Sequence, residues 1–327
     1  DMVILAIGVT ADTALAKEAG LELGIKGSIV VNDRMETSVP DIYAAGDAVQ
    51  VKHYVTGEDT LLSLAGPANK QGRIIADHIC GDDSRYPGSQ GSSVIKVFDM
   101  TAATTGINET NARRAGLQVD TVILSPMSHA GYYPGGKVMT MKVVFEKATC
   151  RLLGAQIIGY EGVDKRIDVL ATAIHAGMKA TQLKDLDLAY APPYSSAKDP
   201  VSMAGFMIDN ITKEILKQWH LEDMDAVLKE EGAVLLDVRT VQEYSRGHIS
   251  GFINIPLDEL REHIHEIEKG KPVYLICQSG LRSYIASRIL EGYGYETYNF
   301  SGGFRYYDAV VNDRALIERA YACGMDY

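Results

Sequence analysis

Cys277 follows a short apolar run that is typical of a buried strand, residues 273–276. A segment containing Gly280 comes next, and a helix is predicted from Leu281. Backbone N–H groups converge at such a strand-to-helix loop, and the start of the helix adds the positive end of its dipole. Arg282 contributes a positive charge five residues after the cysteine. Although cysteine is more often a small core residue, this setting stabilises an anion on sulfur and indicates a nucleophile.

The residues around Cys277 resemble rhodanese domains, over about residues 223–318. The matching strings are Leu235-Leu236-Asp237-Val238-Arg239, Glu243-Tyr244, residues 247–256 and Gly302-Gly303-Phe304. The resemblance implies that Cys277 takes up a sulfane sulfur as a persulfide. The cradle that it implies consists of Gln278, Ser279, Gly280, Leu281 and Arg282. It further implies structural supports at Asp237, Arg239 and His248.

The length of the loop separates two chemistries within this fold. Related phosphatases place five residues between the cysteine and the arginine, which makes room for phosphate, whereas four residues separate Cys277 from Arg282. A ring of this size fits one sulfur atom, so sulfur transfer is predicted. Gln278 stands where many sulfurtransferases of the family carry arginine. The lower positive charge disfavours thiosulfate as the donor and favours a bulkier persulfide.

A second candidate site begins at Gly46-Asp47, where a predicted strand ends in a glycine and a carboxylate able to accept a hydroxyl hydrogen bond. The string 37–48 resembles the second FAD-binding motif of flavin-dependent pyridine nucleotide-disulfide reductases. Residues 64–73 resemble their helix whose start faces the flavin, where it can stabilise the anionic reduced ring. The FAD-binding residues that the resemblance implies are Ser38, Gly46, Asp47, Ala48, Leu64, Ala65 and Pro67.

Residues 4–9 resemble the strand that returns from the NAD domain of those reductases. The chain contains no GxGxxG, so neither the first FAD fingerprint nor the NAD fingerprint is present. The chain also lacks an initiator Met and opens on an apolar run. We therefore expect the C-terminal part of a longer flavoprotein, with the missing N-terminal FAD/NAD portion as its partner.

Further strings resemble the single-cysteine coenzyme A-disulfide reductase branch that carries a fused rhodanese domain: residues 129–135, 153–156, 162–168 and 189–200. The resemblance implies a homodimer that uses FAD and NAD(P)H. It implies interface tyrosines, chemically suited to protonating a departing thiolate, at Tyr132 and Tyr190, with Tyr133 and Tyr194 as alternatives. Residues expected near coenzyme A are Lys70, Ser128 and Lys198.

Three other patterns are set aside. Residues 131–137 imitate a phosphate-binding GxxxxGK, but Val138 replaces the required Ser/Thr. The charged run 164–168 indicates ion-paired structure rather than a substrate site. His263 and His265 are two residues apart and cannot share a helix face, so no metal site is expected there.

Secondary-structure elements must position these sites, and apolar periodicity predicts both strands and helices. Strands are predicted at 2–7, 28–31, 41–45, 94–98, 119–124, 138–145, 152–158, 233–238, 273–276 and 295–299. Helices are predicted at 12–19, 67–80, 109–115, 163–177, 201–210, 240–246, 257–267, 281–292 and 303–310. Residues 186–200 are proline-dense yet apolar, which predicts a packed loop. Strands in runs indicate an α+β domain, and strands alternating with helices indicate a doubly wound parallel sheet.

The expected fold class is thus α/β and α+β. We divide the chain into the C-terminal part of an FAD-binding Rossmann-like domain at 1–92, with the end of an NAD domain at 1–8, an α+β dimerisation domain at 93–210, a linker at 211–224 and a rhodanese domain at 225–327.

Composition excludes several classes of protein. The 327 residues suit two or three domains, and a net charge of −11 disfavours nucleic-acid binding. No apolar run reaches the length of a membrane span. Four scattered cysteines disfavour a disulfide scaffold and a thiolate zinc site, so we expect a cytoplasmic protein.

The predicted function is flavin-dependent reduction of coenzyme A disulfide or persulfide, or of related small persulfides and polysulfide, by NAD(P)H, coupled to sulfur transfer through Cys277. The alternative is a chain that acts only as a sulfurtransferase or persulfide carrier, with a non-catalytic dimerisation module.

Overall fold

The computed structural model describes residue 3 and residues 5–322, and its strands form three sheets. The helices are α1 Ala14–Glu18, α2 Ala65–Ile79, α3 Glu109–Arg114, α4 Val163–His175, α5 Pro200–Thr212, α6 Met224–Val227, α7 Val241–Ser245, α8 Leu281–Gly292 and α9 Gly303–Ala322. The strands are β1 Ile29–Val30, β2 Val49–Lys52, β3 Asp59–Thr60, β4 Ser93–Val97, β5 Met100–Gly106, β6 Val119–Leu124, β7 Thr140–Glu146, β8 Leu152–Gly159, β9 Gln218–Trp219, β10 Val234–Asp237, β11 Ile253–Asn254, β12 Val273–Ile276 and β13 Thr297–Phe300. Four 3-10 turns cover Ile25–Gly27, Ala180–Asp185, Leu221–Asp223 and Ile264–Glu266.

The first part of the chain is a small sheet, ordered β1-β2-β3, that packs with α2. β1 pairs in parallel with β2, and β2 pairs antiparallel with β3. Its core contains Met35, Val49, Val51, Ile74 and Tyr86. This core joins the loop that precedes β2 to one face of α2, and so positions the start of that helix.

Two predicted strands in this part are wrong. Within 2–7, residues 3 and 5–7 are not in a strand and Val3 is 95% exposed, while Met2 and Ile4 lie outside the described residues. Within 41–45, only a single bridge joins Tyr43 to Glu36. An apolar run becomes a strand only where a neighbouring backbone accepts its hydrogen bonds, and the described residues place no such ladder beside either segment.

The middle part is an antiparallel sheet ordered β4-β5-β8-β7-β6. Strands β6 to β8 and helix α4 lie close to their predicted ranges, and α4 turns Ile167, Leu170 and Ile174 into the core. β5 was missing from the prediction, although its run of threonine and alanine fits a strand between two others. The α+β class of this region is confirmed.

The last part is a parallel sheet ordered β11-β10-β12-β13-β9. Successive side chains of β12 point to opposite faces: Val273, Leu275 and then Cys277 join one core, whereas Ile276 joins the other. With apolar cores on both faces, the sheet is doubly wound, as predicted. Parallel pairing brings the carboxyl ends of β10 and β12 to one edge, where Cys277 lies.

Three segments of this part differ from the prediction. Residues 257–267 form turns and a 3-10 turn instead of a helix, and the Tyr295 hydroxyl lies 3.1 and 2.9 Å from the carbonyl oxygens of Ile264 and Ile267. α9 continues to Ala322, beyond the predicted 303–310.

The predicted linker 211–224 contains strand β9, whose Trp219 is 3% exposed. β9 also contacts the middle sheet, since the Gln218 side chain donates to the Thr121 carbonyl over 2.8 Å. Burial of the tryptophan therefore draws this segment into the parallel sheet.

Candidate active sites

Cys277 lies at the carboxyl end of β12 with 1% of its surface exposed. The chain turns within three residues into α8, and Gly280 makes that turn possible because its φ of +98° lies in the left-handed region. The Gly280 N–H donates to Cys277 Sγ over 3.1 Å. The strand, the glycine turn and the helix start therefore meet at the sulfur, as predicted.

Ser283, in the first turn of α8, is a residue that the sequence reasoning missed. Its Oγ lies 3.2 Å from Cys277 Sγ and 3.1 Å from the Gly280 carbonyl oxygen. One hydroxyl proton can serve only one of these acceptors at a time. An anionic sulfur is the stronger acceptor, so the hydroxyl can stabilise a thiolate or a persulfide. The sequence signal that could have identified it is a serine in the first helical turn after the Cys277 loop.

The start of α9 holds two carbonyl oxygens of the loop. The Phe304 and Arg305 N–H groups donate to the carbonyls of Cys277 and Gln278 over 2.8 and 3.1 Å. Gly303 lies so close that a Cβ there would be 2.6 Å from Ser279 N. These contacts fix the orientation of the first two peptide groups of the loop. This arrangement supports the predicted cradle.

Arg282 forms a bidentate ion pair with Glu243 of α7, with both N···O distances at 2.7 Å. Glu243 is itself fixed by Thr240, whose backbone N–H and hydroxyl donate to its Oε2 over 3.0 Å each. The guanidinium holds the pKa of Glu243 at about 2, below the ordinary 4.5. Arg282 is therefore paired with a permanent carboxylate, which the sequence reasoning did not anticipate.

The supports predicted below the loop include a buried ion pair. Arg239, 1% exposed, donates to both carboxylate oxygens of Asp237 and to the Gly247 carbonyl over 2.7 to 3.0 Å. Its guanidinium also lies 3.8 Å from the centre of the Phe304 ring. His248 is exposed and stacks on Tyr244 instead. The Asp237–Arg239 pair thus connects β10 to the start of α9.

We expect a pH-dependent loss of stability from Glu243→Gln. Because the pKa of Glu243 is lower in the folded state, its contribution is fully present above pH 4.5 and is lost as the pH falls towards 2. Both partners are about 30% exposed, so screening limits the effect to about 1 kcal/mol at pH 7. Urea unfolding of both proteins between pH 7 and pH 3 measures it. A difference that does not shrink below pH 4.5 would contradict this assignment.

A second candidate site lies on the middle domain. The Tyr132 and Tyr190 hydroxyls are 3.0 Å apart, although 58 residues separate them in sequence. The hydrogen bond to Tyr132 raises the pKa of the Tyr190 phenol, which therefore keeps its proton at neutral pH. Tyr133 instead packs its ring against the edge of His129. The two tyrosines that the family resemblance favoured are therefore the two whose hydroxyls are in contact.

A cavity of about 500 Å³ adjoins this pair, lined in part by Ser128, Lys165, Arg166, Tyr190 and Tyr194. Arg166 is 1% exposed and links the segments that form the walls of this cavity. It donates to the Ser128 carbonyl, Ser195 Oγ and Asp199 Oδ2 over 3.0 to 3.1 Å. The prediction that the run 164–168 is ion-paired structure is confirmed for Arg166.

The residues expected near coenzyme A do not share one cavity. Ser128 lines the cavity beside Tyr190 but is 3% exposed, and its Oγ accepts a hydrogen bond from the Lys137 N–H. Lys70 lines a different cavity, of about 920 Å³, between α2 and α4. Lys198 is exposed, with its Nζ 5.9 Å from the centre of the Phe206 ring. Their assignment to coenzyme A stays a prediction.

The residues expected around FAD lie where a loop meets the start of α2. Gly46 has a φ of +88°, and its N–H donates over 2.7 Å to the buried Gln71 side chain of that helix. No side chain caps α2 at Leu64, and Ala65 is exposed, so N–H groups of its first turn are open to a ligand. Ser38 Oγ accepts a hydrogen bond from the Glu22 N–H.

Asp47 is exposed beside Gly46, while Ala48 and Pro67 are half-buried. A carboxylate next to open helix N–H groups offers an acceptor for a sugar hydroxyl and donors for an anionic ring or phosphate. The residues present therefore fit the part of a flavin site assigned to them.

Neither a metal site nor a membrane-spanning helix is found among the described residues. No group of three or more His, Cys, Asp or Glu side chains in residue 3 and residues 5–322 is placed to hold a metal ion. Over the same residues, no helix is long and apolar enough to cross a membrane.

Three family models match the chain. Pyridine nucleotide-disulphide oxidoreductase matches residues 1–72, its dimerisation domain matches residues 92–200, and the rhodanese-like domain matches residues 220–309. The NAD(P)H sulfur oxidoreductase (CoA-dependent) of Pyrococcus abyssi is 38% identical over 201 residues, which are 62% of this chain and 45% of that protein. The coenzyme A disulfide reductase of Staphylococcus aureus strain RF122 is 34% identical over 207 residues, 63% of this chain and 47% of that protein.

Solved structures are similar over more of the chain. The reduced CoADR-RHD of Bacillus anthracis is 48% identical with a TM-score of 0.92, covering 96% of this chain and 56% of that one. A NAD-dependent persulfide reductase from A. fulgidus is 42% identical with a TM-score of 0.84, covering 91% and 54%. The chain spans about half the length of these relatives.

Proposed function

We propose that the chain takes part in the reduction of coenzyme A disulfide or persulfide by NAD(P)H. The proposal is supported by the chain's matches to the pyridine nucleotide-disulphide oxidoreductase and rhodanese-like domain models and by its similarity to coenzyme A disulfide and persulfide reductases. In this proposal the rhodanese domain supplies the sulfur. The observation that carries it is the meeting of Cys277 Sγ with the Gly280 N–H and the Ser283 hydroxyl at 3.1 and 3.2 Å.

The sulfur-transfer step balances without an added oxidant. The Cys277 thiolate attacks the outer sulfur of a persulfide, RS–SH, so that the S–S bond of the donor breaks and RS⁻ leaves. Cys277 becomes Cys–S–SH, held by the Gly280 N–H and by Ser283. A second thiolate, of coenzyme A or another small thiol, then attacks the same outer sulfur and restores the Cys277 thiolate. Each transfer forms one S–S bond and breaks one.

The reductive half converts the new persulfide, R′S–SH, with NAD(P)H and a proton into R′SH, H₂S and NAD(P)⁺. FAD, when bound near Gly46, Asp47 and the start of α2, supplies the transfer of two electrons between nicotinamide and sulfur. Tyr132 and Tyr190 would donate hydrogen bonds or a proton to the departing sulfur, and the short contact between their hydroxyls supports that role.

The proposed assembly is a cytoplasmic homodimer, with coenzyme A near Lys70, Ser128 and Lys198. A match to a dimerisation domain supports the association. Strand β4 and the turn after it also expose apolar side chains, with Phe98 95% exposed, as is common at association surfaces. Cys80, Cys150 and Cys277 are free thiols, which fits a reducing compartment. We retain the domain ranges 1–92, 93–210 and 225–327 as part of this proposal.

The reductive half is tested by the NADH-dependent release of sulfide from coenzyme A persulfide by the flavin-loaded protein, with bleaching of the flavin spectrum. We expect Tyr190→Phe to lower the rate by about 10²-fold, since the variant removes the proton donor. Tyr133→Phe is the matched control and should have little effect, because Tyr133 contacts His129 instead. No NADH-dependent sulfide, with sulfur transfer at Cys277 retained, would favour the alternative of a sulfurtransferase or persulfide carrier.

A further inference from the structure

Arg282 of the Cys277 loop and Arg239 beneath it each face a carboxylate, whereas Arg305 contacts the loop through its backbone N–H. Both terminal nitrogens of Arg282 are 2.7 Å from Glu243 oxygens. Arg239 lies beneath the loop and donates to both oxygens of Asp237. The other polar side chains of the loop, those of Gln278 and Ser279, are neutral. The cradle therefore stabilises its sulfur with backbone dipoles and a hydroxyl, while the charge of Arg282 is neutralised.

Glu243 is held in place for this pairing before any substrate arrives. Its Oε2 accepts from the Thr240 N–H and hydroxyl, and its own N–H donates to Thr240 Oγ1 over 3.2 Å. This reciprocal cap fixes the carboxylate at the start of α7. A bidentate pair in such a fixed geometry is among the stronger protein ion pairs, so an incoming anion must compete with it for Arg282.

The surface beside the loop is apolar. Leu281, adjacent to Arg282, is 65% exposed, and Ile285 lies one turn further along α8 with 41% exposed. Residues four apart share a helix face, so these two side chains form a continuous apolar strip at the start of α8. Such a strip can pack against the organic part of a donor, but it provides neither a hydrogen bond nor a positive charge for the charged oxygens of thiosulfate.

We propose that Glu243 is a specificity-determining residue, which neutralises Arg282 so that Cys277 accepts sulfur from organic persulfides and discriminates against thiosulfate. The inference rests on the proposed sulfur transfer at Cys277. With RS–SH, the charged groups of R lie several bonds away from the transferred sulfur, and RS⁻ leaves, whereas in thiosulfate the charged oxygens are on the sulfur atom bonded directly to it. With thiosulfate, the S–S bond breaks to release sulfite, and two negative charges must approach both the Cys277 thiolate and the Glu243 carboxylate.

The test compares glutathione persulfide with thiosulfate as donor, with cyanide as acceptor. In Glu243→Gln, whose side-chain oxygen can still accept from Thr240, we expect kcat/KM for thiosulfate to rise on the order of tenfold relative to that for glutathione persulfide. The gain should lie in KM, because the freed Arg282 binds the dianion. Adding Arg282→Gln should remove it. Glu230→Gln, which removes a carboxylate that contacts Tyr274, is the matched control and should leave the ratio unchanged.

Several outcomes would overturn the inference. An unchanged donor ratio in Glu243→Gln would show that Glu243 does not set the preference between donors. The variant Arg305→Gln would then show whether that neighbouring cation binds thiosulfate instead. An equal loss with both donors would leave Glu243 with a structural role only. The wild-type protein gives a test that needs no variant, since equal use of thiosulfate and glutathione persulfide refutes the discrimination. Failure of every donor to load Cys277 would refute the proposed sulfur transfer itself.

Discussion

Replacing Cys277 with alanine is expected to abolish persulfide formation and to lower sulfur transfer by at least about 10³-fold, because the attacking sulfur is removed. The loop should keep its shape, since α9 holds it through the carbonyls of Cys277 and Gln278 and not through the sulfur. The measurement is the mass of the intact protein after treatment with a polysulfide, which in the wild type gains one sulfur atom at this residue.

Exposed thiols make a peptide map necessary. Cys80 is exposed and Cys150 is half-buried, so either can take up sulfur without a built site. The variant Cys80→Ala/Cys150→Ala/Cys323→Ala should still gain sulfur and turn over, whereas adding Cys277→Ala to it should abolish both. Turnover that survives in Cys277→Ala would refute the assignment of this cysteine as the nucleophile.

Breaking the buried pair beneath the loop is expected to have the largest effect on stability. Arg239→Met leaves the Asp237 carboxylate buried without its partner, which costs about 3–5 kcal/mol. For a domain of this size, the loss lowers the Tm by at least about 12 °C. The single tryptophan, Trp219, reports on this domain because its ring packs between Phe252 and Phe300. Its fluorescence during heating therefore measures the effect.

The paired variant separates charge from packing. Asp237→Leu/Arg239→Met removes both charges, so it should recover much of the loss that Arg239→Met causes. The exposed pair Lys217–Glu296 serves as the control, and Glu296→Gln should change stability by about 1 kcal/mol or less. Equal destabilisation by Arg239→Met and by Glu296→Gln would mean that burial of the Asp237–Arg239 pair has no special role.

Sequence reasoning succeeded where a reactive residue and the residues that position it are neighbours in the chain. Cys277, Gly280 and Arg282 fall within six residues, so the apolar run of β12 and the glycine after it predict the strand-to-helix loop, and the family resemblance adds the cradle. The order of strands and helices likewise predicts the parallel sheet. The choice of Tyr132 and Tyr190 came from a family resemblance, and only the structure shows that they contact each other, because no local pattern brings together residues 58 positions apart.

Sequence reasoning failed where a distant contact replaced a local one. Residues 257–267 have the apolar spacing of a helix, yet they form turns in which the carbonyls of Ile264 and Ile267 contact the hydroxyl of the distant Tyr295. The segment 41–45 has the composition of a strand, but only Tyr43 finds a bridge partner. The opposite happened at Trp219, where pairing with β13 made a strand of residues that read as a linker.

The sequence by itself therefore determined which cysteine follows β12, the length of the loop from Cys277 to Arg282 and the order of the elements that present it. These properties depend on covalent neighbours and on side-chain periodicity, which a chain has before it folds. Only the tertiary structure decided how charge is distributed around Cys277. Glu243 lies 39 residues from Arg282, and it neutralises that arginine because the parallel sheet brings α7 to the start of α8. Electrostatic energy depends on distance in space, and that distance is fixed only by the fold.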